Sequence, residues 1–247
     1  MDRLIYTSLS AMRGAMARQT ATAHNLANAN TPGFRADMAA AQALWLKGEG
    51  HTSRAPASEE VIAASMKPGV VTRTGRDLDI AIDGDAMLAV NAEDGSEAYT
   101  RRGDLAVSDS GLLTNGEERP VIGNSGPIIL PAADRIGIDA EGNISIVPVG
   151  GDPAQPQLVD RLRLASPAGS AVKKGLDGLF RVEGGGALPA DPDARVIVGH
   201  LEAANVSATE ALVAMVEASR AWDAQLRLLG DARDMDSASA DLMRLPE

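Results

Sequence analysis

No cysteine occurs among the 247 residues, so disulfides and thiolate-ligated zinc are excluded. Aromatic residues make up only 2% of the chain, which leaves Ala, Val, Leu, Ile and Met to pack any core. No run approaches the ~18 consecutive apolar residues of a membrane span, so no membrane insertion is expected. The N-terminus, MDRLIYTSLSAMRGAMARQ, lacks a basic segment followed by an apolar stretch of signal-peptide length. If the chain leaves the cytosol, it is expected to do so without a cleaved signal. Basic charge is short as well. The net charge is −11 and no basic run is present, which argues against a nucleic-acid partner.

Sites of chemistry are also missing. His24, His51 and His200 have no ligand-like spacing. RDLDIAIDGD carries Asp77, Asp79, Asp83 and Asp85 without the distal bidentate Glu of a calcium loop. VEGGGALP lacks the Lys-Ser/Thr of a phosphate loop. GNSGP and TATAHN resemble protease serine and histidine loops in letters only, since His24 falls at the end of a helical pattern. No catalytic residue, cofactor, metal or small-molecule substrate is expected.

What is present is concentrated at the two ends. Ile5, Leu9, Met12, Met16, Gln19, Ala23 and Leu26 recur at 4-3 spacing, the stripe of a heptad helix. Near the other end Leu212, Met215, Ser219, Trp222, Leu226 and Leu229 do the same, and Ala240 and Met243 resume the pattern. NVSATE supplies a helix start, with Ser207 as N-cap and Glu210 three residues on. Residues 1–35 hold four arginines against one acid, and residues 201–247 hold four arginines against nine acids. The opposite signs favour association of the two ends.

Between them, short apolar runs alternate with Asp83-Gly84, Asp94-Gly95, Ser110-Gly111, Asn115-Gly116 and Glu141-Gly142. That texture predicts an antiparallel β domain. The expected plan is α+β, mainly β. A β-rich domain at 69–200 is flanked by a helical, coiled-coil assembly region, 1–35 with 201–247, whose two ends come together. Residues 36–68 form a partly flexible connector, in which ADMAAAQALWLK has helical character.

The first helix runs into HNLANANTPGFRA. Asn25 and Asn28 share a helix face. Their amides and that of Asn30 can satisfy backbone groups at the helix end or reach an adjoining chain. Thr31-Pro32-Gly33-Phe34 suits a type II turn, with Pro second and Gly third. Phe34 would then anchor the reversed chain.

These terminal motifs resemble those of the flagellar rod and hook family, bacterial axial proteins of the basal body. Asn25, Leu26, Ala27, Asn28, Thr31, Gly33, Phe34 and Arg35 take that family's N-terminal signature positions. Asn205, Val206, Glu210, Val213, Met215, Arg220 and Trp222 match its C-terminal pattern, and TGRDLDIAIDGDAMLAV through ERPVIG resembles its β domain. His24, Ser219 and Trp222 depart from the usual letters. The N-terminus and length are most similar to a proximal-rod subunit, with a distal-rod subunit as the alternative. A non-flagellar binding module or hydrolase is the remote reading. The resemblance implies a structural, non-enzymatic subunit that polymerises through its terminal helices. Its partners would be copies of itself, other rod subunits and the type III export apparatus, and its place the rod in the periplasmic space.

Overall fold

The computed structural model describes residues 2–43 and 57–242, and it divides into two compact units. One comprises Met1–Ala29, Ala36–Ser65 and Val206–Glu247; the other comprises Asn30–Arg35 and Met66–Asn205. The expected mainly-β class with two terminal helices is what the chain adopts. Residues 44–56, which take in much of the expected loop, and Met243 lie outside the described residues.

The first unit holds two helices and one hairpin. Helix α1 spans Asp2–Ala27 and helix α2 spans Ala208–Leu242. Between them in sequence, β1 (Asp37–Ala43) pairs antiparallel with β2 (Ala57–Ala64), from Asp37↔Ala64 to Ala43↔Ala57. Helix α1 packs against both α2 and the hairpin. The start of α2 follows the sequence signal, for the Ser207 hydroxyl accepts the Glu210 N–H at 3.3 Å.

Residues 37–43 correct the helical expectation for ADMAAAQALWLK. The Asn25 side chain pairs with the Asp37 backbone in both directions, donating to its carbonyl at 2.9 Å and accepting its N–H at 2.7 Å. That two-way pairing mimics a strand neighbour and starts a ladder, which overrides the helix propensity of the alanines.

The second unit is antiparallel throughout. Its largest sheet orders Leu164–Ala165, Met87–Asn91, Glu97–Thr100, Phe180–Val182 and Val172–Lys174. A meander of Ala133–Ile138, Asn143–Pro148 and Gln157–Arg161 forms a second sheet. Ribbons pair Ile80–Ile82 with Val196–Val198, and Val71–Arg73 with His200–Glu202. The core is aliphatic as the composition requires, built on Ile80, Leu88, Val90, Leu105, Leu113, Ile144, Leu162 and Val196. Asp94-Gly95 and Glu141-Gly142 turn with glycine φ of +78° and +81°. Asn115-Gly116 also turns, with the Glu118 N–H on the Asn115 carbonyl at 2.8 Å, but without a positive φ on its glycine. Asn115 is buried, its side-chain oxygen accepts the Glu117 and Arg119 N–H groups, and the positive φ falls on Glu118.

Tyr99 is the aromatic pivot of the main sheet. Its hydroxyl donates to Glu97 at 2.6 Å and accepts the Leu188 N–H at 2.6 Å. Burial, with the Glu97 contact adding to it, pushes the phenol up to about 12. An acid held neutral in the fold contributes stability below its ordinary pKa of 10, and that contribution is lost as pH rises toward 12. Tyr99→Phe leaves the Leu188 N–H without its acceptor, at an expected cost of about 1–3 kcal/mol. Urea melts at neutral and alkaline pH check both effects: the variant's deficit should shrink above pH ~10.

Candidate functional site

Residues 30–35 make a short excursion into the β unit, although the sequence groups them with the helices. The turn forms as its letters require, with the Phe34 N–H on the Thr31 carbonyl at 3.2 Å and Gly33 at φ +67°. The Gly33 N–H then donates to the Glu202 carbonyl at 2.7 Å. A Cβ on Gly33 would collide with the Arg101 carbonyl group and the Arg102 nitrogen. Phe34 is buried, and the Lys174 ammonium lies 3.7 Å from its ring centroid while donating to the Arg35 carbonyl at 2.7 Å. The Phe34 carbonyl accepts the Asn205 N–H at 3.2 Å, and the Asn205 amide reaches the Lys67 carbonyl at 2.8 Å.

These segments converge on the Glu202 carboxylate. One oxygen accepts from Arg35 at 2.6 Å and from the Gly69 N–H at 2.8 Å. The other accepts Arg101 Nε at 2.8 Å and Nη2 at 2.6 Å. The side chains of Arg35, Arg101 and Glu202 are each 3% exposed or less. Arg101 spends its remaining donors on the carbonyls of Ile82, Gly84 and Ala86, each at 2.7 Å, so all five of its N–H groups are used. Arg35 also donates to the Lys67 carbonyl, and its Nε is buried without a partner. Burial pulls the Arg35 guanidinium below the usual arginine range; Glu202 opposes that pull and Arg101 adds to it.

The carboxylate is thus fully hydrogen-bonded between two cations, the condition under which a buried charge is tolerated. Sequence reasoning did not find Glu202 or Arg101.

The asparagines divide their work. Asn28 turns back on its own helix, its amide and N–H both donating to the His24 carbonyl, at 3.0 and 3.1 Å. Asn25 holds Asp37, as described, and the His24 ring contacts the Asp37 carboxylate at 2.5 Å. Asn30 and Ala27 are exposed; Leu26, Thr31, Pro32, Asn205 and Val206 are half-buried.

The heptad residues fall in an unexpected phase. Small side chains make the inner faces, with Ala15, Ala21 and Ala211 buried. Ala15 and Thr22 face Ala214, Ala218 and Ala221 across a groove of about 280 Å³. Leu9 (42%), Met16 (59%), Leu212 (51%) and Leu226 (46%) remain in solvent. Met12, Met215, Trp222 and Leu229 are half-buried, and the Ile5 side chain lies outside the described residues. On α2 the less exposed stripe is Ala211, Met215, Ala218, Trp222, Gln225 and Leu229. It keeps the 4-3 spacing but replaces Leu212, Ser219 and Leu226 with smaller or polar neighbours. The stripe therefore mixes small side chains, Ala211 and Ala218, with the larger Met215, Trp222 and Leu229.

Among the described residues no group of His, Asp or Glu could hold a metal ion, and no helix is long and apolar enough to cross a membrane.

Three family models match in chain order. The flagella basal body rod protein model covers residues 5–35, the flagellar hook protein FlgE/F/G D1 domain covers 81–146, and the flagellar basal body rod FlgEFG protein C-terminal model covers 197–242. Arg35, Arg101 and Glu202 come one from each matched stretch. At full length the chain is 39% identical to flagellar basal-body rod protein FlgF of Escherichia coli, over 99% of this chain and all of that protein. It is 37% identical to FlgF of Salmonella typhimurium over the same shares, and 27% identical to rod protein FlgG of Bacillus subtilis, again over 99% and 100%.

Proposed function

The chain belongs to the flagellar basal-body rod family, and from that membership we propose that it is a structural subunit of the proximal rod, most like FlgF. It polymerises through α1 and α2 with copies of itself and with other rod subunits, and it transmits torque along the axial drive shaft. It catalyses no reaction and takes no cofactor. It reaches the periplasmic rod through the flagellar type III apparatus. The FlgG relatives make a distal-rod position the second reading, at lower identity over the same span.

The observation that carries this proposal is the packing of the helices. Ala15, Ala21 and Ala211 are buried while Leu9, Met16, Leu212, Leu226 and Leu228 are exposed, which leaves large apolar side chains on both helices for a neighbour to cover. Neighbouring subunits in a helical array would bury them, because head-to-tail contacts whose rotation does not close build a filament.

Met16→Asp and Leu226→Asp test the proposal. Both positions are exposed, so each variant should melt within about 0.5 kcal/mol of the parent. In a buried seam between subunits the same carboxylate is prohibitive. Each variant should therefore fail to enter the rod and abolish swimming. Normal motility with both would remove the helices from the assembly interface.

A further inference from the structure

The strand Val71–Arg73 is exposed at all three positions, and Val70 beside it is 75% exposed. Among the described residues it pairs on one side only, with His200–Glu202. The ladder's ends fix which backbone groups face that partner, for the Ala203 N–H donates to the Val70 carbonyl and the Thr74 N–H to the Gly199 carbonyl. Antiparallel alternation then turns the N–H and C=O groups of Val71 and Arg73 to the open edge. Such an edge is a template for another chain unless something covers it. Lys67 and Arg73 stand exposed along it, while the nearby Arg76 is held by the Leu105 carbonyl and lies 3.5 Å from Asp79. On a chain of net charge −11 this is a locally basic strip.

The same unit carries a surface of opposite character. A cleft of about 270 Å³ is lined by Asp83, Asp85, Asp191 and Asp193 with Arg195 as its cation. Its volume falls below the roughly 300–1,000 Å³ of small-molecule sites and suits an inserted side chain. Charge decides which surfaces can meet. Edge against edge would place Arg73 and Lys67 beside their own copies, and cleft against cleft would face aspartates with aspartates. Only edge against cleft brings opposite signs together.

We infer that the basic open edge at Val71–Arg73 docks into the Asp83–Asp193 cleft of a second copy of this chain. This contact between β units is additional to the helical seam and separable from it.

The absence of cysteine makes the test direct. Full-length chains carrying Arg73→Cys are mixed with full-length chains carrying Asp193→Cys and oxidised at low salt. Each chain has one thiol, so every crosslink joins two molecules. The mixed dimer should exceed either homodimer about fivefold, and the excess should vanish near 1 M salt, where the Debye length is about 3 Å. A charge swap gives a second readout. Arg73→Asp or Asp193→Arg alone should weaken self-association about tenfold, and the two together should restore it, with melting unchanged because both side chains are exposed. With the two chains at equal concentration, a mixed dimer no more than about twice as abundant as each homodimer, which random pairing gives, or a double variant as weak as the singles, overturns the inference. Neither readout depends on Met16 or Leu226, so failure here leaves the rod assignment standing.

Discussion

Glu202→Gln is expected to cost about 3–5 kcal/mol of stability, because it leaves the buried Arg35 and Arg101 guanidiniums without a counter-charge. Glutamine keeps the size of the side chain, so the loss is electrostatic and not a cavity. Its amide would also point donors at donors, against the four hydrogen bonds the carboxylate now accepts. For a chain of this size the loss corresponds to a fall in Tm of about 6–20 °C. Thermal and urea melts of the full-length protein measure it. Arg35→Met and Arg101→Met separate the contributions of the two cations. Arg101→Met should be the worse, since it also strips donors from the carbonyls of Ile82, Gly84 and Ala86. A Tm change below about 2 °C for Glu202→Gln would show that the three charges contribute little net stability.

Gly33→Val should be nearly as damaging by a different route. The backbone at φ +67° disfavours any side chain, and the space a Cβ needs is taken by the Arg101–Arg102 peptide. Backbone atoms cannot swing aside as a flexible side chain can. Strain and overpacking together should cost about 2–6 kcal/mol. Gly95→Ala is the control, for Gly95 has the same backbone sign, φ +78°, with nothing within 4 Å of the added Cβ. It should lose only about 1–2 kcal/mol. Trypsin gives a local readout, because Arg35 is buried and should become cleavable when the 30–35 turn detaches. Equal losses at the two glycines would mean that the close approach to Arg101 adds nothing.

Periodicity, capping and turn chemistry carried most of the fold in the sequence. The Ser207 cap and the Thr31–Phe34 turn depend on local hydrogen bonds, and local letters specify them well. Three features needed tertiary information. Part of the helix phase was hidden because pattern reading weights large apolar residues: it picked out Met215, Trp222 and Leu229 but passed over the buried Ala15, Ala21 and Ala211. The strand at Asp37–Ala43 was hidden because alanine favours helix until Asn25 offers its backbone a strand-like partner. Glu202 was invisible for a third reason. A lone acid in a strand reads as solvated, and only the arrival of two distant arginines makes its burial possible.

That dependence sets an order of events for folding. Arg101 and Glu202 are 101 positions apart, and Arg35 is farther still. Until Glu202 is present, the two guanidiniums must stay hydrated and the carbonyls of Ile82, Gly84 and Ala86 lack their shared donor. Contacts of such long sequence separation form slowly, since the intervening loop must close first. A chain delivered from its N-terminus therefore holds the β unit open until about four-fifths of its length has emerged, and the Glu202 carboxylate serves as a gauge of completeness.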